Sequence, residues 1–263
     1  MPDVYPAVIA AMATAFRALG LRITVTGDAR VPTSGPAVIA SNHSGYPDFA
    51  LLGLAARRSR RHVRFLARYD VLDNWFAGPF MRSMRHIPVD RKAPAGAFLT
   101  ARGALRRGEV VGVFPEAGVS TSFTIRPVMP GAVALAQATG APLLPVGIWG
   151  GQRIFTVGHR LDLTRRRPIR VLVDRPFPVR GDLSVVDQTR ALGERLAELL
   201  EQVQRAHPDQ PEPDRSSWWH PAHLGGSAPT PEQARRMEPA MPTGAVPIPP
   251  PSQGRSGQVS RRS

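Results

Sequence analysis

Between residues 21 and 207, short apolar runs alternate with longer segments of helical periodicity, and this alternation limits the fold more than any other feature of the sequence. Short uninterrupted apolar runs are typical of strands that are buried on both faces. The predicted strands are 37–40, 110–114, 143–148 and 169–173, and the predicted helices are 49–56, 96–107, 131–139 and 189–206. The pattern predicts one main α/β domain.

Segments of a different character flank this domain. Residues 4–19 carry apolar side chains at three- and four-residue spacing, which predicts an amphipathic helix that either lies in a membrane interface or packs on the domain's own core. Proline is frequent after residue 207, which predicts a largely disordered tail in which Trp218, Trp219 and Leu224 dock on the domain or on lipid. We therefore divide the chain into an N-terminal helix and possible membrane-surface anchor (1–20), a folded domain (21–207) and a Pro-rich tail (208–263).

Residue types that are missing restrict the chemistry. The chain has no cysteine, which excludes disulfides, thiolate metal sites and a cysteine nucleophile. Its seven histidines form no His-x-x-x-His pair, so we expect no metal. No signal peptide is recognisable and no apolar stretch reaches the about 18 residues that span a bilayer, so we expect neither export nor membrane insertion.

The formal charge of +14 comes almost entirely from arginine, since Lys92 is the one lysine. Arginine binds phosphate through paired hydrogen bonds, so the charge indicates anionic lipid, a coenzyme or nucleic acid as partner, although a GC-rich genome would also enrich arginine. Two basic runs, 57–64 and 165–167, either face such phosphates or form solvated surface. We find no helix-turn-helix, RNP or zinc-finger pattern, so nucleic acid is not expected as a partner, but the high charge keeps a basic nucleic-acid-binding protein as the alternative from another functional class.

A polar segment that follows the first predicted strand contains a histidine and an aspartate five residues apart, His43 and Asp48. The carboxyl end of a buried strand is a common position for catalytic groups in α/β proteins. A neutral imidazole removes protons near pH 7, and a carboxylate on its other ring nitrogen fixes the tautomer. The residues alone also allow Asp48 to be only a helix N-cap and His43 only a loop residue. Backbone N–H groups after His43 are candidate donors to an oxyanion.

Four segments in order resemble the motifs of the glycerophospholipid acyltransferase family, the lysophosphatidic acid acyltransferases in particular. Asn42-His43 and Asp48 match the first motif, Asn-His-x-x-x-x-Asp, in identity and spacing. Segments 87–91, 114–120 and 141–147 are similar to the second, third and fourth motifs. The resemblance covers residues 36–150 well and extends loosely to 207. It implies a glycerol-3-phosphate acyltransferase-like fold, a mixed sheet flanked by helices.

The resemblance also implies a reaction and its partners. His43 is the general base that takes the proton from the acceptor hydroxyl, and Asp48 orients it. The acyl donor is acyl-CoA or acyl carrier protein, and the acceptor is a lysophospholipid, with 1-acyl-glycerol-3-phosphate giving phosphatidic acid. No cofactor is implied. We expect the protein to be a peripheral membrane protein, bound to an anionic membrane surface on the cytoplasmic face.

The third motif departs from the family where the family has an arginine. Ala117-Gly118-Val119 stands in place of Gly-Thr-Arg, so we consider Arg126 as the replacement. This departure leaves the acceptor open between 1-acyl-glycerol-3-phosphate, another lysophospholipid and a glycolipid hydroxyl. In the family the second motif binds the acceptor's phosphate, here through Arg91, with Glu116 shaping the same pocket. The complete set of expected substrate-binding residues is Asn42, Arg91, Glu116, Gly118, Ser120 and Arg126.

Overall fold

The computed structural model describes residues 4–68, 84–90, 93–212 and 216–250, in which one sheet of seven strands is flanked by α-helices. The strands are β1 (Arg22–Thr26), β2 (Ala37–Ser41), β3 (Val63–Arg68), β4 (Ile87–Val89), β5 (Val110–Val113), β6 (Leu143–Trp149) and β7 (Pro168–Val173). The helices are α1 (Tyr5–Ala18), α2 (Asp48–Ala55), α3 (Pro94–Arg106), α4 (Gly131–Thr139), α5 (Val185–Arg205) and α6 (Pro231–Met237).

The strands run in the order β1-β7-β6-β2-β5-β3-β4. All neighbours are parallel except β6 and β7, which are antiparallel, so the sheet is mixed. The predicted fold class is confirmed. The apolar runs predicted four of the seven strands. Strand β4 lies in segment 87–91, which is similar to the second motif, whereas β1 and β3 were not predicted: β1 alternates exposed and half-buried residues, and arginines interrupt the apolar pattern of β3. Of the four strands that the apolar runs identified, β2, β5 and β6 are buried along their whole length, and β7 is half-buried at Arg170 and Leu172.

The core forms two layers, one on each face of the sheet. Strand β2 shows why, because its neighbouring side chains point in opposite directions. Ile39 packs with Leu51 of α2 and Phe16 of α1, whereas Val38 packs with apolar residues of α3, α4 and α5. The central strands are therefore covered on both sides, which accounts for their uninterrupted apolar sequences.

The apolar face of α1 packs on the domain. Tyr5, Ile9, Ala13 and Phe16 are buried on this helix, and an added Cβ at Gly53 of α2 would lie only 2.8 Å from the Ile9 side chain. Of the two alternatives for this face, the structure shows packing on the domain's core. Within the described ranges, no helix combines the length and apolar character needed to cross a bilayer.

Residues 216–250 are largely irregular, as the sequence predicts, and they lie against the domain. Trp218 and Trp219 pack against a buried cluster that contains Phe123 and Trp149. Further along, the backbones of Val246 and Val128 exchange two hydrogen bonds of 2.8 and 2.9 Å. The division of the chain at residues 20 and 207 stays a prediction.

Three adjacent strands end at the same edge of the sheet. Because β2 is parallel to both β5 and β6, their carboxyl ends lie side by side, with Ala40 opposite Val113 and Ser41 opposite Val146. The loops that follow these strands begin at residues 42, 114 and 150. The fold therefore brings together segments that are far apart in the sequence.

Candidate active site

The loop after β2 is held by one carboxylate oxygen. Oδ2 of Asp48 accepts hydrogen bonds from the backbone N–H groups of Ser44 (2.7 Å) and Gly45 (2.8 Å), and it lies 3.1 Å from Nδ1 of His43. The side chain of Asp48 is 1% exposed. The side chain of an N-cap residue would accept hydrogen bonds from N–H groups further along its helix. The side chain of Asp48 instead accepts them from the loop that precedes the helix, so the N-cap alternative is wrong.

The imidazole of His43 is fixed on two sides. Its ring stacks on Phe114 with centroids 4.3 Å apart, and Phe114 stacks on Phe65 with centroids 5.6 Å apart. With Nδ1 carrying the proton shared with Asp48, the lone pair of Nε2 is directed away from that carboxylate. Nε2 bonds to no described residue, and the His43 side chain is 19% exposed. The arrangement presents a basic nitrogen to a molecule approaching the edge of the sheet.

Asn42 joins the loop to the neighbouring strand β6. Its amide oxygen accepts from the N–H of Ile148 (2.7 Å), and its amide nitrogen donates to the carbonyl of Ile148 (2.9 Å) and to Oγ of Ser44 (3.1 Å). The residue is 1% exposed. These bonds use both amide hydrogens and the amide oxygen of Asn42, and its contact with substrate stays a prediction. Asn42 fixes the position from which His43 projects.

Glu116 ties the loop after β5 to the loop that carries His43. Its two carboxylate oxygens each accept one backbone N–H at 2.8 Å, from His43 and from Arg126. Burial raises the pKa of Glu116 to about 8, although the two N–H donors and the nearby charge of Arg126 act in the opposite direction. Glu116 therefore shapes the site through the backbone.

Gly118 and Ser120 complete this second loop. The N–H of Ser120 donates to the carbonyl of His43 (2.8 Å), and its buried hydroxyl donates to the carbonyl of Thr124 (2.7 Å). An added Cβ at Gly118 would lie 2.5 Å from Nη1 of Arg126, so a larger residue there would displace the guanidinium. The N–H of Gly118 donates to no described residue.

Arg126 lies in the predicted cluster, and its guanidinium is held by the tail. Nε lies 2.8 Å from Oε2 of Glu238, and Nη2 donates to the carbonyl of Pro239. The other oxygen of Glu238 accepts from the N–H and the hydroxyl of Thr121 at 2.7 and 2.8 Å. The side chains of Arg126 and Glu238 are 9% and 5% exposed. Nη1 of Arg126 bonds to no described residue and lies beside Gly118.

Other predicted features lie outside this cluster. Arg91 falls outside the described residues. The basic run 57–64 lies at the opposite edge of the sheet, because Arg61 donates to the carbonyls of Gly35 and Gly108, which precede β2 and β5. The length of β2, about 16 Å, separates that edge from His43. This run is therefore not part of the site around His43.

The prediction that oxyanion donors lie directly after His43 is wrong. The N–H groups of Ser44 and Gly45 donate to Asp48, and that of Tyr46 donates to the carbonyl of Phe155 at 3.0 Å.

In the described part of the chain, no group of three or more His, Asp or Glu side chains is arranged to hold a metal ion.

Two residues that organise the site were not predicted from the sequence. Phe114 supports the imidazole, and its place directly after a buried strand at the same edge as His43 was a usable signal. Glu238 pairs with Arg126 from a proline-rich segment. Nothing in its local sequence distinguishes it from a solvated acid, because the contact depends on how residues 216–250 cross the domain.

The chain is similar to known acyltransferases over most of its folded part. The family model described as Acyltransferase matches residues 22–149. The 1-acyl-sn-glycerol-3-phosphate acyltransferase of Bacillus subtilis is 31% identical over 181 residues, which cover 67% of this chain and 87% of that protein. The chloroplastic 1-acyl-sn-glycerol-3-phosphate acyltransferase BAT2 of Brassica napus is 25% identical over 185 residues, and there the chain spans only 51% of the relative.

A solved structure shares the fold. The crystal structure of the 1-acyl-sn-glycerophosphate acyltransferase PlsC from Thermotoga maritima superposes with a TM-score of 0.64 at 22% sequence identity. The similarity covers 79% of this chain and 82% of the other.

The buried Glu116 predicts a pH-dependent stability. Its pKa is about 8 in the folded protein and close to its ordinary value, about 4.3, in the unfolded chain. Between these values the folded protein binds more protons, so this group's contribution to the free energy of unfolding falls as pH rises, by at most about 1.4 kcal/mol per pH unit. We expect Glu116→Gln to lack this contribution, measured by urea unfolding from about pH 5 to pH 8. If the free energy of unfolding changed with pH in the same way in both proteins, the raised pKa of Glu116 would be contradicted.

Proposed function

We propose a specific reaction for this chain on the basis of its family. The chain belongs to the acyltransferases that include the 1-acyl-sn-glycerol-3-phosphate acyltransferases. The chain is an enzyme of that type, and its family implies an acyl donor and a lysophospholipid acceptor. The proposed reaction moves a fatty acyl group from acyl-CoA or acyl carrier protein to the free hydroxyl of the acceptor. We propose 1-acyl-glycerol-3-phosphate as that acceptor and phosphatidic acid as the product.

One observation carries the proposal: Nδ1 of His43 lies 3.1 Å from the buried carboxylate of Asp48, while Nε2 is left for a substrate. In the proposed reaction, Nε2 takes the proton from the acceptor hydroxyl as its oxygen attacks the carbonyl carbon of the thioester. Asp48 stabilises the imidazolium that forms. The carbon–sulfur bond then breaks, and the leaving thiolate receives the proton from Nε2. No acyl-enzyme forms.

The acceptor's phosphate is assigned to the loop after β5 together with Arg91. Nη1 of Arg126 lies beside Gly118, and neither this nitrogen nor the N–H of Gly118 bonds to a described residue. A guanidinium nitrogen beside a backbone N–H is a suitable anion-binding pair. The loop that carries them is joined to His43 through Glu116 and Ser120, so phosphate bound there would lie near the general base.

One observation favours a second acceptor class. Arg126 already shares its charge with Glu238, so it attracts a phosphate less strongly than an unpaired arginine would. This pairing suits an acceptor with a less charged headgroup, such as another lysophospholipid or a glycolipid hydroxyl. In either case we propose that the enzyme works at the cytoplasmic face of the membrane as a peripheral protein.

The test is acyl transfer by the purified protein with a panel of acceptors. We expect release of free CoA from acyl-CoA when 1-acyl-glycerol-3-phosphate is present, and a smaller release with lysophosphatidylcholine or a glycolipid. His43→Ala removes the proton acceptor, so we expect kcat to fall about 10²- to 10⁴-fold. Near-ultraviolet circular dichroism serves as the control for folding. Wild-type turnover by a folded His43→Ala protein would rule out the proposed base.

Arg126 is tested together with its partner, because either single change leaves a buried charge unpaired. We expect Arg126→Gln and Glu238→Gln each to lower the free energy of unfolding by about 3 kcal/mol, and the double variant to recover most of that loss. The KM for the acceptor should rise about tenfold in the double variant, as expected for a lost charge-assisted bond, while the KM for acyl-CoA stays unchanged. A wild-type acceptor KM in the folded double variant would exclude Arg126 from the phosphate site.

A further inference from the structure

An exposed apolar surface lies beside the candidate active site. Five of the nine large hydrophobic side chains that are exposed in the described residues belong to it, with exposed fractions from 39% to 58%. We call this surface the apolar rim, and its members are Tyr46, Phe155, Val157, Leu161 and Leu163. We propose that the apolar rim docks the enzyme on an anionic phospholipid bilayer. The inference rests on the proposed function, since the acceptor is a lipid.

The apolar rim is joined directly to the loop that carries His43. The rings of Tyr46 and Phe155 are 4.6 Å apart, and the N–H of Tyr46 donates to the carbonyl of Phe155. The hydroxyl of Thr156 donates to the carbonyl of Ser44 at 2.7 Å. The two loops follow β2 and β6, whose carboxyl ends lie at the same edge of the sheet. A bilayer that contacts the rim therefore lies next to the loop that carries His43.

The loop 154–162 is closed on itself, so the rim has a fixed shape. The N–H of Asp162 donates to the carbonyl of Ile154 at 2.8 Å. An added Cβ at Gly45 would lie 2.9 Å from the backbone of Gln152, which shows how closely the two loops pack. The exposed side chains are thus not folded back onto the domain, although the backbone beneath them is held.

Basic residues surround the apolar rim. Arg160, Arg165 and Arg166 are exposed, and within the described residues none of them forms an ion pair. Asp162 is the one acid between residues 154 and 167, and it pairs with Arg167. Exposed apolar side chains that enter the interface, flanked by arginines that face anionic headgroups, match the chemistry of a charged bilayer surface.

A bilayer fits this surface better than nucleic acid does. The phosphates of nucleic acid would bind the arginines. Nucleic acid offers little apolar environment in which the exposed leucines and the valine could be buried, because stacking on bases requires flat rings. Headgroups and acyl chains satisfy both parts of the surface at once. A lysophospholipid acceptor also resides in the bilayer, so docking at the rim would deliver it beside His43.

The absence of cysteine from the sequence allows a direct measurement. Leu161→Cys, labelled with an environment-sensitive fluorophore such as NBD, reports burial at the rim. Leu99→Cys is the matched control, because Leu99 is 56% exposed against 58% for Leu161 and lies on α3, on the other face of the sheet. With vesicles of phosphatidylcholine and phosphatidylglycerol, we expect a blue shift and increased intensity at position 161 and no change at 99. No change at 161, or equal changes at both positions, would overturn the proposal.

Vesicle flotation then separates the contribution of the rim from that of general charge. We expect Leu161→Ser/Leu163→Ser to lower the partition coefficient about tenfold or more, and Leu99→Ser/Leu183→Ser to leave it unchanged. Arg160→Gln/Arg165→Gln/Arg166→Gln should abolish the preference for anionic over neutral vesicles. If this triple variant lost binding to single-stranded DNA but kept its preference for anionic vesicles, nucleic acid would replace the bilayer as the partner of these arginines, and the proposal would be overturned.

Activity on a soluble short-chain acceptor separates this inference from the proposed function. Such an acceptor needs no membrane, so the Leu161→Ser/Leu163→Ser variant should turn it over at the wild-type rate and lose activity only on acceptor presented in vesicles. Equal losses on both acceptors would mean that the rim acts inside the site, which overturns the docking role. No acyl transfer by the wild type on either acceptor would overturn the proposed function on which the docking role rests.

Discussion

The candidate site depends on one carboxylate oxygen that accepts three hydrogen bonds. Oδ2 of Asp48 binds the N–H groups of Ser44 and Gly45 and also faces Nδ1 of His43. Because Asp48 is the first residue of α2, the bonds connect the end of a central strand to the start of the next helix. The same oxygen therefore fixes the shape of the loop and the orientation of the imidazole, and the rest of the site is arranged around it.

Successive loops support this arrangement from the neighbouring strands. Asn42 bonds the loop to β6, and Glu116 bonds it to the loop after β5 through the N–H of His43. Glu116 also holds the backbone of Arg126, whose side chain reaches Glu238 in residues 216–250. A segment far along the chain is thus connected to His43 in three steps. The buried charges in this network explain why changes there are expected to affect both stability and acceptor binding.

The sequence predicted the interior of the fold better than its edges. Uninterrupted apolar runs identified β2, β5 and β6, because strands buried along their whole length carry few polar residues. Strand β7 was also identified, although it contains Arg170 and is half-buried there and at Leu172. The spacing of His43 and Asp48 indicated their contact, since five residues with a glycine and a proline allow the chain to turn back. The partner of Arg126 was not predictable, because no local pattern encodes a contact across 112 residues of chain between positions 126 and 238. The same limit applies to the apolar rim, whose members become neighbours only when two loops pack together.

The most direct measurement is steady-state acyl transfer by Asp48→Asn. An asparagine oxygen would still accept the N–H groups of Ser44 and Gly45, so the loop is expected to keep its shape, but the negative charge that stabilises the imidazolium is lost. We expect kcat for CoA release to fall about 10²- to 10⁴-fold while the urea midpoint stays close to that of the wild type. Wild-type kcat in this variant would contradict the claim that the carboxylate of Asp48 makes His43 a base.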